Sequence, residues 1–309
     1  MGNITAQMVK ALRDQTGAGM MDCKTALAEN DGDVAAATDW LRAKGLSRAA
    51  KKAGRVTAEG LVAVAVGDGR GAVVEVNAET DFVARNEQFQ AMVRTIADVA
   101  LSLDGDYDAT CAAPFPSAAK SVQDHVAEMI GTIGENMTFR RSQGLAVESG
   151  VVEAYVHNAM GDGLGRIGVI VALSSEADPA ALKPIARQIA MHVAAASPLS
   201  VSVDDLDPDV IARERSILVE QARESGKPEE IIEKMVEGRL RKYYQEVVLL
   251  EQTFVVDGER TVSKVLKDAS QETGTPVELA GFARLVLGEG VEKEETDFAA
   301  EVAAAASGG

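Results

Sequence analysis

Cationic charge is scarce in this chain: 31 lysines and arginines face 48 aspartates and glutamates, a net charge of −17 over 309 residues. A phosphate backbone repels such a surface, so direct nucleic-acid binding is not expected. Cysteine is almost absent. Cys23 and Cys111 are too few for a disulfide framework and fit a reducing compartment. The three histidines, His125, His157 and His192, show neither metal-ligand spacing nor a nucleophile-base motif, so no metal or cofactor is expected. No apolar run approaches the roughly 20 residues of a membrane span, and Met1-Gly2-Asn3-Ile4-Thr5 opens without a basic stretch before an apolar block. The expectation is a cytoplasmic protein without a membrane partner. Aromatics number only twelve, which makes each exposed one informative.

Hydrophobic content of 46% supports real cores. Residues 1–45 read as three short helices. Thr5 caps the first, Thr16-Gly17-Ala18-Gly19 ends it, Met20, Met21, Cys23 and Leu27 mark the second, and Asp33 opens a third that stops at Gly45. Arg48, Lys51, Lys52 and Arg55 then form a basic linker, read either as solvated or as docked. From residue 60 the period becomes two. Residues 61–66 and 72–76 around Gly67-Asp68-Gly69-Arg70-Gly71 read as a hairpin, followed by a helix over 87–101. The same order returns over 152–173 and 179–196, at an offset of 94 between Gly67 and Gly161, which predicts a duplicated hairpin-plus-helix unit. A polar loop at 104–116, a helix over 122–133 and a strand over 137–141 lie between the copies.

In residues 207–250, Val210, Ile211, Ile217 and Leu218 share one helix face. Ser225-Gly226-Lys227-Pro228 turns the chain, and Ile232, Val236, Leu240, Tyr243 and Val247 line a return helix. This is either a protruding coiled-coil hairpin or an ordinary core pair. Strand-like and helical material at 254–256, 262–266 and 282–287 completes the core, and a capped helix is expected near the end. The fold class is therefore α+β. Gly163-Leu164-Gly165-Arg166-Ile167-Gly168 matches a dinucleotide pattern, but a strand follows where a helix N-terminus is needed, so it is read as a false lead. No phosphate-loop motif exists and nothing resembles an enzyme site.

The remaining feature is Asn77-Ala78-Glu79-Thr80-Asp81-Phe82-Val83-Ala84-Arg85-Asn86, between a strand and its helix, where scaffolds display functional groups. Two readings stand. Thr80 or Asp81 caps the helix and Phe82 folds inward as a staple, or Asp81 and Phe82 present a carboxylate and an aromatic wedge to another protein.

The run Leu12-Arg13-Asp14-Gln15-Thr16-Gly17-Ala18-Gly19-Met20-Met21-Asp22-Cys23-Lys24 resembles the N-terminal signature of the bacterial-type elongation factor Ts family. Residues 76–86 resemble that family's strand-loop signature with Thr80-Asp81-Phe82-Val83. Ile133-Gly134-Glu135-Asn136, Arg166-Ile167-Gly168-Val169, residues 189–195, Lys234-Met235-Val236-Glu237-Gly238-Arg239 and Glu295-Thr296-Asp297-Phe298-Ala299 follow in the family's order. The pattern departs most at 104–116 and 157–165. The resemblance implies a three-helix, UBA-like docking domain with its linker (1–55) and a core of two related subdomains (56–206, completed by 251–290). It also implies a coiled-coil hairpin (207–250) and a C-terminal helical module (291–309). It implies no enzyme, but a guanine-nucleotide exchange factor that binds elongation factor Tu loaded with GDP or empty. Thr80, Asp81, Phe82 and Val83 would dislodge the Mg²⁺ held by Tu. Leu12, Met20, Met21 and His157 would contact Tu, and the hairpin leaves room for a higher-order Tu–Ts assembly. The competing expectation is a non-catalytic structural or chaperone-like binder.

Overall fold

The computed structural model describes residues 4–224, 226 and 228–292. The helical module expected over 291–309 therefore lies, apart from its first two residues, outside the described residues. Among these, no helix is long and apolar enough to cross a membrane.

Three helices open the chain: α1 (Ala6–Thr16), α2 (Met20–Glu29) and α3 (Val34–Lys52). Thr5 accepts the Met8 amide proton at the start of α1, and Gly17, at φ 68°, ends it in the left-handed region. Asp33 caps α3 through the amides of Ala35 and Ala36. Leu12, Cys23, Leu27 and Ala37 form their small core, with Trp40 and Leu41 against it. The expected stop at Gly45 is corrected: α3 runs seven residues further. A Cβ added at Gly131, on a later helix, would lie 2.6 Å from the Gly45 Cα. Glycine stands here so that two helix backbones can touch, and its helix-breaking tendency is offset by that packing.

The first half of the core follows as β1 (Glu59–Gly67), β2 (Arg70–Ala78), α4 (Glu87–Ser102), α5 (Tyr107–Ala112), α6 (Val122–Ile133) and β3 (Met137–Ala146). Residues 104–116, expected as loop, thus contain α5, capped by Asp106. The second half is β4 (Gly150–His157), the short β5 (Leu164–Gly165), β6 (Ile167–Ser174), α7 (Pro179–Ala196), α8 (Pro208–Arg223), α9 (Glu229–Val247), α10 (Val262–Thr273) and β7 (Glu278–Val286). No strand forms at 254–256, where a single bridge joins Thr253 to Thr261, and 262–266 is the start of α10. All strand pairs are antiparallel, in the orders β3-β2-β1-β5 and β4-β6-β7.

Alternation along the strands assigns the layers. Leu61, Ala63, Val74 and Val76 face α4 and α6. Val62 and Val73 face the other sheet, meeting Val152, Ile170, Ala172 and Leu285. Val169, Val171 and Leu173 pack outward on α7 and α10. The order is helices, sheet, sheet, helices. Gly168 belongs to this interface, since a Cβ there would sit 2.6 Å from a Val62 methyl, and one at Gly165 would sit 2.4 Å from a Val156 methyl. The glycines of the dinucleotide-like run serve close packing.

Glu75 lies between the sheets, fully buried. A bulge in the β2–β3 pairing at Glu75/Val76 brings two arginines to it, Arg140 at 3.3 Å and Arg141. Glu75 Oε1 also accepts the Gly288 amide at 2.7 Å, and Arg141 Nη2 donates to the Val286 carbonyl at 2.8 Å. One carboxylate thus ties β2, β3 and the end of β7 together, its charge met on several sides.

The repeated unit is longer than a hairpin and one helix. Glu59 to Gly150 (β1 to β4) is an offset of 91 and Glu87 to Pro179 (α4 to α7) one of 92, whereas Val122 to Val262 (α6 to α10) is 140. The step from 92 to 140 is 48, the separation of Ser200 and Val248, which bridge each other where α8 and α9 leave the core. Leu199 donates to Val247 O, and Leu249 to Ser200 O, at the same stem. The α8–α9 hairpin is thus an insertion into the second copy. Its seam is Leu218, Ala222, Ile232 and Val236, so Ile217, expected on the packed face, instead points outward.

Candidate functional site

The chain leaves β2 at Ala78, crosses to a short 3₁₀ turn at Val83–Arg85 and enters α4 at Glu87. The helix cap is Asn86, whose Oδ1 accepts from Gln88 N at 2.9 Å and Phe89 N at 3.1 Å. Thr80 and Asp81 are therefore free of capping duty, against the local reading of that segment. Phe82 does not fold inward either: it is 74% exposed, the most exposed large hydrophobic among the described residues. Val83 and Ala84 are buried against the first core and anchor the far side of the loop.

The near side is held by polar contacts. Thr80 donates both its amide and its hydroxyl to the two oxygens of Glu135, at 3.0 and 2.8 Å. Glu79 pairs with Arg55 at 3.2 Å and accepts the Asn136 amide at 2.5 Å. Asn136 Nδ2 in turn donates to Arg55 O at 2.8 Å, and Lys52 donates to Gly134 O. The basic linker is thus docked at Lys52 and Arg55, on the turn that follows α6 and on the base of the loop. Asp81 and Phe82 project from this frame, with Arg85 exposed beyond the buried Val83 and Ala84.

The other anticipated positions divide. Met20 and Met21 are 56% and 70% exposed and border an open groove with Ile4, Val9, Lys10, Arg13 and Lys24. Leu12 is fully buried in the three-helix core, so it shapes that surface from behind and touches nothing outside. His157 ends β4, exposed, with Nδ1 3.2 Å from the Tyr155 hydroxyl. Arg55 takes the docked of its two readings, while Glu79, Glu135 and Asn136, quoted only as parts of longer runs, carry a role in holding the loop that the sequence did not assign them. A Glu-Asn pair directly after the helix-ending Gly134 was the available signal. His192 is buried, its Nδ1 accepting from Val255 N at 3.1 Å and its Nε2 meeting Gln252 Oε1 at 2.8 Å. Burial pushes its imidazole below the ordinary range, the Gln252 hydrogen bond opposing. His125, stacked on Phe115 at 3.9 Å, is pushed down too, mainly by burial.

Fold and site together define an α+β scaffold, with two similarly ordered halves, that displays a pinned, aromatic-tipped loop. Residues 79–289 match the family model described as Elongation factor TS. The chain is 58% identical over 308 residues to Elongation factor Ts of Parvibaculum lavamentivorans, with both chains covered in full. It is likewise 58% identical over 305 residues, 99% of each chain, to Elongation factor Ts of Sinorhizobium medicae, and over 308 residues to that of Rhizobium johnstonii. The chain belongs to the elongation factor Ts family, a family of translation elongation factors.

Proposed function

We propose that this chain is a guanine-nucleotide exchange factor that binds elongation factor Tu carrying GDP and promotes GDP release. The observation that carries the reading is the exposure of Phe82 beside Asp81 on a loop fixed at both ends. An aromatic held in water gains about 1.5–3 kcal/mol when a partner buries it, and a fixed loop loses little further freedom on docking. In this scheme the Asp81 carboxylate and Phe82 enter the nucleotide site of Tu, disturb its Mg²⁺ and phosphate contacts, and weaken GDP. Linkage requires the converse: a chain that binds empty Tu more tightly than loaded Tu weakens nucleotide by the same factor. The chain itself makes and breaks no covalent bond. The three-helix domain docks through the groove of Met20 and Met21, His157 adds a contact, and the α8–α9 hairpin offers Ile217 and Ile231 for a further assembly.

A release assay with labelled GDP on Tu tests the reading. With unlabelled GDP in excess to rebind empty Tu and free the chain, a substoichiometric amount is expected to exchange the label from all of the Tu present. Binding to Tu with no acceleration of GDP loss would support the structural-binder alternative instead.

A further inference from the structure

We propose that Glu135 is a positioning residue for exchange: by accepting both the Thr80 amide and hydroxyl, it holds the β2–α4 loop so that Asp81 and Phe82 stand ready for Tu. This rests on the exchange reading above. Three observations carry it. The first is the bond pair itself, at 3.0 and 2.8 Å, with an acceptor that is a carboxylate 55 residues away in sequence. Charge-assisted bonds of this kind are roughly twice as strong as neutral ones, and two from one residue fix direction as well as distance.

The second is the internal control that the duplication provides. Gly134 and Gly274 end α6 and α10 in the same left-handed conformation, φ 92° and 73°, so Glu135 corresponds to Thr275. In the second half, Thr275 meets the residue just after β6, Ser175, through a single hydroxyl pair at 3.3 Å. In both halves a latch thus joins the strand exit to the turn after the helix, at the second residue after β2 (Thr80) and at the first after β6 (Ser175). It is strengthened to a carboxylate with two donors only in the half whose connection carries a projecting aromatic.

The third is that the same turn receives the linker of the three-helix domain, through Lys52 to Gly134 O and Asn136 to Arg55 O. Arg55 also pairs with Glu79, the residue before Thr80. Seating of the docking domain and the attitude of the loop thus meet at residues 134–136.

The experiment measures GDP release from Tu against chain concentration for wild type, Glu135→Ala, Glu135→Gln and Thr80→Val, with Phe82→Ala as a control. Melting temperature and amide hydrogen exchange of the free chain are measured alongside. Gln can still accept the Thr80 amide and donate to its hydroxyl, so Glu135→Gln should stay within about twofold of wild type. Glu135→Ala should lower the maximal rate about tenfold, with the half-saturating concentration little changed, because a loop that wanders is often misaligned. Its Thr80 amide should exchange faster while the α4 amides keep their protection. Thr80→Val, which removes only the hydroxyl bond, should fall between and remains informative if Glu135→Ala folds poorly. Wild-type maximal rates in Glu135→Ala or Thr80→Val, with Phe82→Ala impaired, would overturn the latch and leave the exchange reading standing. Equal damage to rate, affinity and melting in Glu135→Ala and Glu135→Gln would also overturn it, as a merely structural role. Absence of acceleration by wild type would defeat both readings.

Discussion

The two halves of the core are built alike and decorated differently. In the first, residues 79–86 connect β2 to α4 through a 3₁₀ turn and a projecting Phe82; in the second, residues 175–178 connect β6 to α7 directly, with Asp178 as the cap. Between the two helices of each unit, the first half carries the short α5 and the second carries the α8–α9 hairpin. The three-helix domain sits on the first half alone, across α6, where Gly131 touches Gly45. At the matching place on α10 stands Gln271, exposed. The two halves share one order of strands and helices, and the differences lie in connections that the sheets do not need.

Breaking the link between the halves should have the largest effect on stability. Glu75→Ala leaves Arg140, Arg141 and the Gly288 amide without their shared acceptor, and loss of one partner of a buried ion pair costs about 3 kcal/mol or more. Urea unfolding should show that loss. A change below about 1 kcal/mol would mean the sheets hold together by the apolar layer alone.

A smaller effect separates the halves by their neighbours. Gly131→Ala drives a methyl into the α3 backbone and should cost about 1–3 kcal/mol, whereas Gln271→Ala should stay within about 0.5 kcal/mol. Paired denaturation curves check this, and equal values would remove the packing role given to Gly131.

Acid sharpens the comparison further, because each half holds one imidazole pushed down by burial, His125 in the first and His192 in the second. As pH falls through the ordinary imidazole value of 6.5, the unfolded chain binds protons that the folded chain refuses. The contribution of these groups is present above that value and declines below it. The urea midpoint should therefore be lower at pH 5.5 than at pH 7.5. Imidazole titrations followed by NMR should place both groups below 6.5, and a value above it for either would contradict this.

Excising the insertion should matter least. Replacing residues 202–246 with a short Gly/Ser linker spans a stem already closed by Ser200 and Val248, so the melting temperature should move by only a few degrees and GDP release should persist. Loss of release in this folded variant would place the hairpin in the exchange apparatus.

Much of this comparison could be read from local chemistry. Thr5, Gly17, Asp33 and Gly134 mark helix ends because capping acts within a few residues, and period-two runs mark both hairpins. What escaped reading depends on distant residues. Gly45 looked like a stop because its partner, Gly131, is 86 positions away. The second half of each repeat was hidden because the α8–α9 insertion moves α10 and β7 out of register with α6 and β3. Ile217 lies off the seam because Leu218 and Ala222, four apart on one face of α8, are the residues that meet Ile232 and Val236, and a small alanine gives little hydrophobic signal in sequence. In the loop, the family resemblance singled out residues 80–83, but the exposure of Phe82, the capping by Asn86 and the grip of Glu135 on Thr80 required the folded chain.

The most direct test of the role given to the first-half loop is the maximal rate of GDP release from Tu at saturating concentrations of the Asp81→Ala, Phe82→Ala double variant. Loss of the buried aromatic alone corresponds to about 1.5–3 kcal/mol, so the rate should fall by about tenfold to a hundredfold, with complex formation much less affected. A maximal rate within about twofold of wild type, or equal losses of rate and affinity, would contradict it.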